Sequence, residues 1–101
     1  MEADHIVVAT GAVPADLPIE GKEHLMISDD FLNLQELPQE IIFVGGGYIA
    51  FEFAHIARRA GSNVHIIQRG QHPLKRFDPD LVKLLVEQSK KSVSMSILVQ
   101  M

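Results

Sequence analysis

Ile41-Ile42-Phe43-Val44-Gly45-Gly46-Gly47-Tyr48-Ile49-Ala50-Phe51-Glu52-Phe53-Ala54 is the stretch that decides how this chain of 101 residues folds. Four uncharged apolar residues read as a buried strand, three glycines as a tight turn, and the apolar residues that follow recur at helical spacing. A strand, a glycine turn and a helix in direct succession present backbone amides and the positive end of a helix dipole to a dinucleotide pyrophosphate.

Each small residue of the motif has its own task. Gly45 makes the turn out of the strand, Gly47 lets the backbone come close to the pyrophosphate, and Ala50 lets the helix lie near the strand. With Gly46, Tyr48 and Ile49 they make up the candidate cofactor-binding stretch. Three glycines alone also occur in plain turns, so the flanking strand and helix carry the assignment.

Working outward, the helix is expected from about Gly47 to Ala60, with Gly61 ending it as the C′ residue. Ile49, Phe53, Ile56, Ala57 and Ala60 are expected to face the sheet, leaving Tyr48, Glu52, His55 and Arg59 as a polar, free face. Val64 to Gln68 reads as the next strand, close enough behind Gly61-Ser62-Asn63 for a strand, helix, parallel strand unit. Asp78-Pro79 reads as an N-cap and N1 pair opening a further helix to about Lys90, with Leu81, Leu84, Leu85 and Gln88 toward one side. The alternation in Ser92 to Met101 suits one more strand. These elements predict an α/β fold, a Rossmann-like parallel sheet with crossover helices in three layers.

Upstream, His5 to Ala9 is rich in β-branched residues and is expected to form a buried strand closed by Thr10-Gly11. Prolines and Gly21 make residues 12–21 a loop. Ser28 before Asp29-Asp30 looks like an N-cap of a short helix that Pro38 forbids from continuing. A domain boundary is expected near Gly11.

Composition removes several function classes. Nine basic and thirteen acidic residues give a net charge of −4, and with no basic block nucleic acid is not an expected partner. No apolar run reaches the ~18 to 20 residues that span a bilayer, and the N-terminus lacks the charge order of a signal peptide, so a soluble cytoplasmic protein is expected. The chain has no cysteine, hence no disulfide, no zinc thiolate site and no redox-active thiol. His5, His24, His55, His65 and His72 have no paired ligand spacing, so no metal site is expected, and no residue is assigned a catalytic role.

Cofactor choice turns on the tip of the strand after the glycine helix. An acidic side chain there accepts the ribose hydroxyl of NAD, whereas arginine nearby suits the 2′-phosphate of NADP. This chain has Gln68, then Arg69, with Lys75 farther on and no carboxylate at the tip. Charge-assisted hydrogen bonds to a phosphate are each worth roughly 1.5 to 3 kcal/mol, which favours NADP. The alternative leaves Arg69 and Lys75 as solvated surface charges, with Gln68 serving either ribose.

Beyond the glycines, Ile6-Val7-Val8-Ala9-Thr10-Gly11, Ser28-Asp29-Asp30-Phe31, Leu37-Pro38 and Arg69 to Phe77-Asp78 follow in an order that resembles the glutathione-reductase-like branch of the pyridine nucleotide-disulfide oxidoreductases. The resemblance implies that residues 1–11 end an FAD-binding domain, with Thr10 and Gly11 near FAD, and that residues 12–101 begin an NAD(P)H-binding domain. Tyr48 matches the family's tyrosine that covers the flavin until nicotinamide displaces it. Glu52 matches a glutamate beside the nicotinamide that faces a lysine of the flavin domain. Arg69 and Lys75 match the arginine pair of NADPH-using members, lysine giving charge without the bidentate fork. The family's flavin fingerprint, cysteine pair and C-terminal dimerisation domain with its catalytic histidine are not in these residues, so a fragment is expected, inactive by itself. The full-length protein would be a homodimeric enzyme passing hydride from NADPH to FAD and electrons to a disulfide substrate. An NADH-using relative of dihydrolipoamide dehydrogenase, or a non-catalytic nucleotide-binding module, are the competing expectations.

Overall fold

A computed structural model of the chain describes residues 1–92 and 96–100. It divides into two compact units, Met1–Asn33 and Leu34–Met101. No helix among the described residues is long and apolar enough to cross a membrane.

The second unit holds the predicted sheet. Its elements are β1 (Glu40–Val44), α2 (Tyr48–Arg59), β2 (Asn63–Arg69), α3 (Pro79–Ser92) and β3 (Ser96–Gln100). The strands run parallel in the order β1-β2-β3, with Ile41 opposite Val64, Phe43 opposite Ile66, and Ile66 opposite Ile97. Aligned partners share a face, so Ile41, Val64, Ile66, Gln68 and Ile97 lie on one side of the sheet, and all five are buried. The other face carries Ile42 and Val44, both about half exposed. His55 of α2 lies within hydrogen-bond distance of Ser89 of α3, which puts both crossover helices over the same face, as two successive right-handed crossovers in one direction require.

Local chemistry ends these elements where the sequence says it should. Gly61 takes a left-handed φ of 107°; its N–H donates to Arg58 O and that of Ser62 to Ala57 O, the paired bonds of a Schellman stop. Ser62 then donates its hydroxyl to Pro38 O at 2.7 Å, and Asn63 N–H donates to Gln39 O at 2.7 Å. The end of α2 is thereby tied to the beginning of β1. At α3, Asp78 Oδ1 accepts from the amides of Asp80 and Leu81 at 2.9 and 3.2 Å, so the aspartate caps the helix while Pro79 occupies its first turn.

Helix faces differ from expectation. The side of α2 against the sheet is Ala57, as expected, with Phe51 and Ala54, all buried, whereas Ile49, Ile56 and Ala60 are exposed. A helix lying close over parallel strands is spaced by its smallest side chains, so the alanines go inward and the isoleucines do not fit beneath. Likewise α3 turns Val82 and Ser89 inward and leaves Leu81, Leu84 and Leu85 exposed. His55 departs from the free polar face assigned to it: it is half-buried, with Nε2 2.9 Å from Ser89 Oγ.

In the first unit the only regular pieces among the described residues are a 3-10 turn at Lys22–His24 and α1 (Ser28–Leu32). Gly21, at φ 80°, precedes the turn, and Lys22 pairs with Asp16 at 2.8 Å. Ile27, not Ser28, is the N-cap of α1; its N–H donates to Asp30 Oδ2 at 2.9 Å. Asp30 thereby satisfies the N-cap's own amide, the reciprocal half of a capping box, while the bond a serine N-cap would accept has no side-chain counterpart. His5 to Ala9 is not a strand here, and Ile6, Val7 and Val8 are each more than 80% exposed. A strand exists only as a ladder with a neighbour, and the described residues pair nothing with this one.

Candidate functional site

The glycine turn links β1 to α2, and each glycine meets a different demand. Gly45 has φ 110°, open only to glycine without strain, while its N–H extends the ladder to Ile67 O at 2.7 Å. Gly46 is enclosed. A Cβ there would stand 2.5 Å from Gln68 Oε1 and 2.9 Å from Pro73 Cβ, closer than atoms tolerate. Gly47 has an ordinary extended backbone, φ −84° and ψ 174°, and a Cβ on it would meet nothing within 4 Å. Neither conformation nor packing requires glycine at 47. Gly47 is exposed, at the start of α2.

Gly47 is also the N-cap of α2, with no side-chain capping bond. The first helical hydrogen bond runs from Phe51 N–H to Gly47 O, so the amides of Tyr48, Ile49 and Ala50 begin the helix without an intrahelical acceptor. With the helix dipole behind them they suit phosphate oxygens. Tyr48 and Glu52, one turn apart, are both exposed, and Ile49 is exposed beside them.

The segment after β2 folds back onto this turn. Leu74 N–H donates to Gly46 O at 2.8 Å, and Phe77 N–H to Leu74 O at 2.9 Å. Leu74 is buried and holds φ 52°, left-handed for a residue with a side chain; such a conformation costs of order 1 kcal/mol and persists where surrounding contacts fix it. Here the bond to Gly46 and the burial of the side chain do so. Arg69 is the exposed end of β2, and Lys75, also exposed, lies along Gly70 with Nζ 3.2 Å from the position of an added Cβ.

The structure therefore brings together Gly45, Gly46, Gly47, Gln68, Arg69 and Lys75 at the carboxyl ends of β1 and β2, where ligands of open parallel sheets bind. Ala50 is half-buried in the first turn of α2. Thr10 and Gly11 belong to the other unit, both exposed, Gly11 with φ 76°. Gln68 is 5% exposed and donates from Nε2 to Gly70 O at 2.9 Å, an inward position its place at a strand tip did not suggest. Parity was the signal: Gln68 alternates with Val64 and Ile66. Pro73 and Leu74, which close over Gly46, had no sequence signal. The pKa of His55 is lowered, first by burial and then by the charge of Arg59.

Residues 1–100 match the family model described as pyridine nucleotide-disulphide oxidoreductase. A glutathione reductase of Burkholderia cepacia is 40% identical over 92 residues, which is 91% of this chain and 20% of that protein. Among solved structures, the chain is similar to the HOCl-induced flavoprotein disulfide reductase of Escherichia coli, a cysteine-to-serine mutant in its Cu(II) complex, with TM-score 0.61 and 33% identity over 69% of this chain and 16% of that one. An engineered water-forming NADPH oxidase bound to NADPH gives TM-score 0.54 and 26% identity over 60% of this chain and 14% of that one. The chain thus spans about a fifth of the length of its curated relative. With the family model matched over residues 1–100 and a relative 40% identical over 91% of the chain's length, the chain belongs to the pyridine nucleotide-disulphide oxidoreductase family.

Proposed function

We propose that the chain is the NADPH-binding portion of a flavin-dependent disulfide reductase, with residues 1–11 ending its FAD-binding domain and residues 12–101 beginning its NAD(P)H-binding domain. The observation that carries the choice of NADPH is the placement of Arg69 and Lys75 around Gly70, both exposed, at a strand end with no carboxylate. Two cations flanking one short loop suit a dianionic 2′-phosphate, and the ribose hydroxyl of NADH gives them nothing to pair with. The glutathione reductase and the NADPH-bound oxidase among its relatives support the same reading.

The glycine cradle fits the nucleotide. Amides of Tyr48, Ile49 and Ala50 hold the pyrophosphate, Gly47 admits it, and Arg69 and Lys75 orient the adenosine half. Bound NADPH supplies a hydride to FAD, whose electrons go on to a disulfide substrate. Tyr48 would cover the flavin until nicotinamide takes its place, and Glu52 would lie beside the nicotinamide. Residues of this chain position the cofactor and move no proton. The remaining machinery, including the dithiol and most FAD contacts, lies outside these residues in a cytoplasmic homodimer, with Thr10 and Gly11 adding to the FAD site.

Equilibrium titration with NADPH and NADH tests this. NADPH is expected to bind more tightly, and Arg69→Ala to weaken NADPH by about tenfold or more while leaving NADH within about twofold. Equal or tighter binding of NADH by the unsubstituted protein overturns the cofactor assignment.

A further inference from the structure

Gln68 stands one residue before Arg69, where a side chain is ordinarily expected to reach the adenosine ribose. In this fold it points the other way. The pleat puts it on the face of Val64 and Ile66, and it is 5% exposed. Its Nε2 donates to Gly70 O at 2.9 Å, while its Oε1 stands against the α-carbon side of Gly46, which has no room for a Cβ. The carboxamide thus spans from the glycine turn to the loop after β2.

That loop carries the cations. Gly70 has φ 124°, a conformation glycine alone adopts readily and one that needs an anchor, because glycine has many others to choose from. The bond from Gln68 to its carbonyl supplies the anchor. Lys75 lies along the same residue, with Cε and Nζ each 3.2 Å from the position of an added Cβ, and Arg69 precedes it. Holding Gly70 therefore sets the spacing of both cations. A second tie, from Leu74 N–H to Gly46 O, returns the loop to the same glycine.

We infer that Gln68 is a specificity-determining positioning residue: its inward carboxamide latches Gly70 to the glycine turn and so arranges Arg69 and Lys75 for a 2′-phosphate, without itself touching ribose. This inference rests on the NADPH reading above. Its chemical content is separable from that reading, because loss of a residue acting on ribose weakens NADH, with or without NADPH, whereas loss of one acting through Arg69 and Lys75 weakens only the nucleotide that carries the phosphate.

The test is Gln68→Met, which keeps the length of the side chain and removes the donor. Titration is expected to show NADPH weakened roughly three- to tenfold, the worth of one hydrogen bond, with NADH within about twofold. Equal weakening of both nucleotides, or no change in either, overturns the latch. A readout independent of ligand and of the variant's folding is hydrogen exchange at the side-chain amide in the unsubstituted protein. The Gln68 amide is expected to exchange at least tenfold more slowly than that of exposed Gln71, and equal rates overturn the latch. Should the unsubstituted protein bind NADH as tightly as NADPH, the cofactor reading fails and with it the role of Gln68 in specificity, while amide protection still decides whether the latch itself exists.

Discussion

The segments His5 to Ala9 and Val64 to Gln68 are nearly matched in composition, and they end differently. Both are short runs dominated by valine, isoleucine and histidine. The second lies between two parallel neighbours with Ile66 fully buried; the first pairs with nothing among the described residues and leaves Val7 88% exposed. Intrinsic β-preference is therefore a statement about fit to a half-buried ladder and not about the segment itself. What separates them is their neighbours: β2 is flanked by a helix and turn on each side that return the chain to form a sheet.

The largest expected effect breaks that comparison directly. Ile66→Ala opens a cavity in the packed face between β1, β2 and α2 and is expected to destabilise the Leu34–Met101 unit by about 2 to 5 kcal/mol. Val7→Ala is expected to change stability by less than about 0.5 kcal/mol. Urea denaturation of both variants checks the pair, and comparable losses would show that Val7 is packed as Ile66 is.

A second substitution sharpens the comparison at the glycine turn. Gly46→Ala drives a methyl group into Gln68 Oε1 and Pro73, and overpacking of this kind costs about 1 to 3 kcal/mol. Gly47→Ala, with an ordinary φ and nothing within 4 Å, is expected to leave stability within about 0.5 kcal/mol. Its loss is expected in nucleotide binding, since the added methyl occupies the approach to the pyrophosphate. Denaturation midpoints measured beside NADPH affinity separate the two glycines; if Gly47→Ala binds NADPH normally, the close approach assigned to Gly47 is wrong.

Much of this was legible in the chain, for reasons that can be named. The Ile41 to Ala54 stretch, the stop at Gly61 and the cap at Asp78 are local devices whose chemistry needs no distant partner. The faces of α2 and the fate of His5 to Ala9 were not legible, because each depends on what lies opposite. Counting apolar spacing selected Ile49, Phe53, Ile56, Ala57 and Ala60; of these only Ala57 is fully buried, beside Phe51 and Ala54, which close approach to the sheet selected instead. Gln68 is intermediate: strand parity points it inward, a heuristic about strand tips points it outward, and the parity prevailed because Gly46 leaves a place for its carboxamide. Leu74 could not be foreseen, since nothing in its neighbours announces a left-handed leucine.

The smallest effect concerns the junction of the two crossover helices, which has no counterpart in the first unit. Ser89 donates its hydroxyl to Leu85 O at 2.8 Å, so the bond between Ser89 Oγ and His55 is donated by the Nε2–H of the histidine. Ser89→Ala removes it and is expected to cost about 0.5 to 1.5 kcal/mol. His55 also makes stability depend on pH. Burial and then Arg59 lower its pKa from the ordinary 6.5, so over the interval below 6.5 the unfolded chain takes up a proton that the folded chain refuses. Stability contributed by neutral His55 is whole above pH 6.5 and declines as pH falls through that interval to the lowered value. Replacing His55 with Gln is expected to flatten this part of the urea midpoint profile between pH 8 and pH 5, and an unchanged slope would assign the dependence to other groups. Because the imidazole keeps its Nε2–H in both protonation states, the helix contact itself persists on acidification, so the expected change is in stability and not in the packing of α2 against α3.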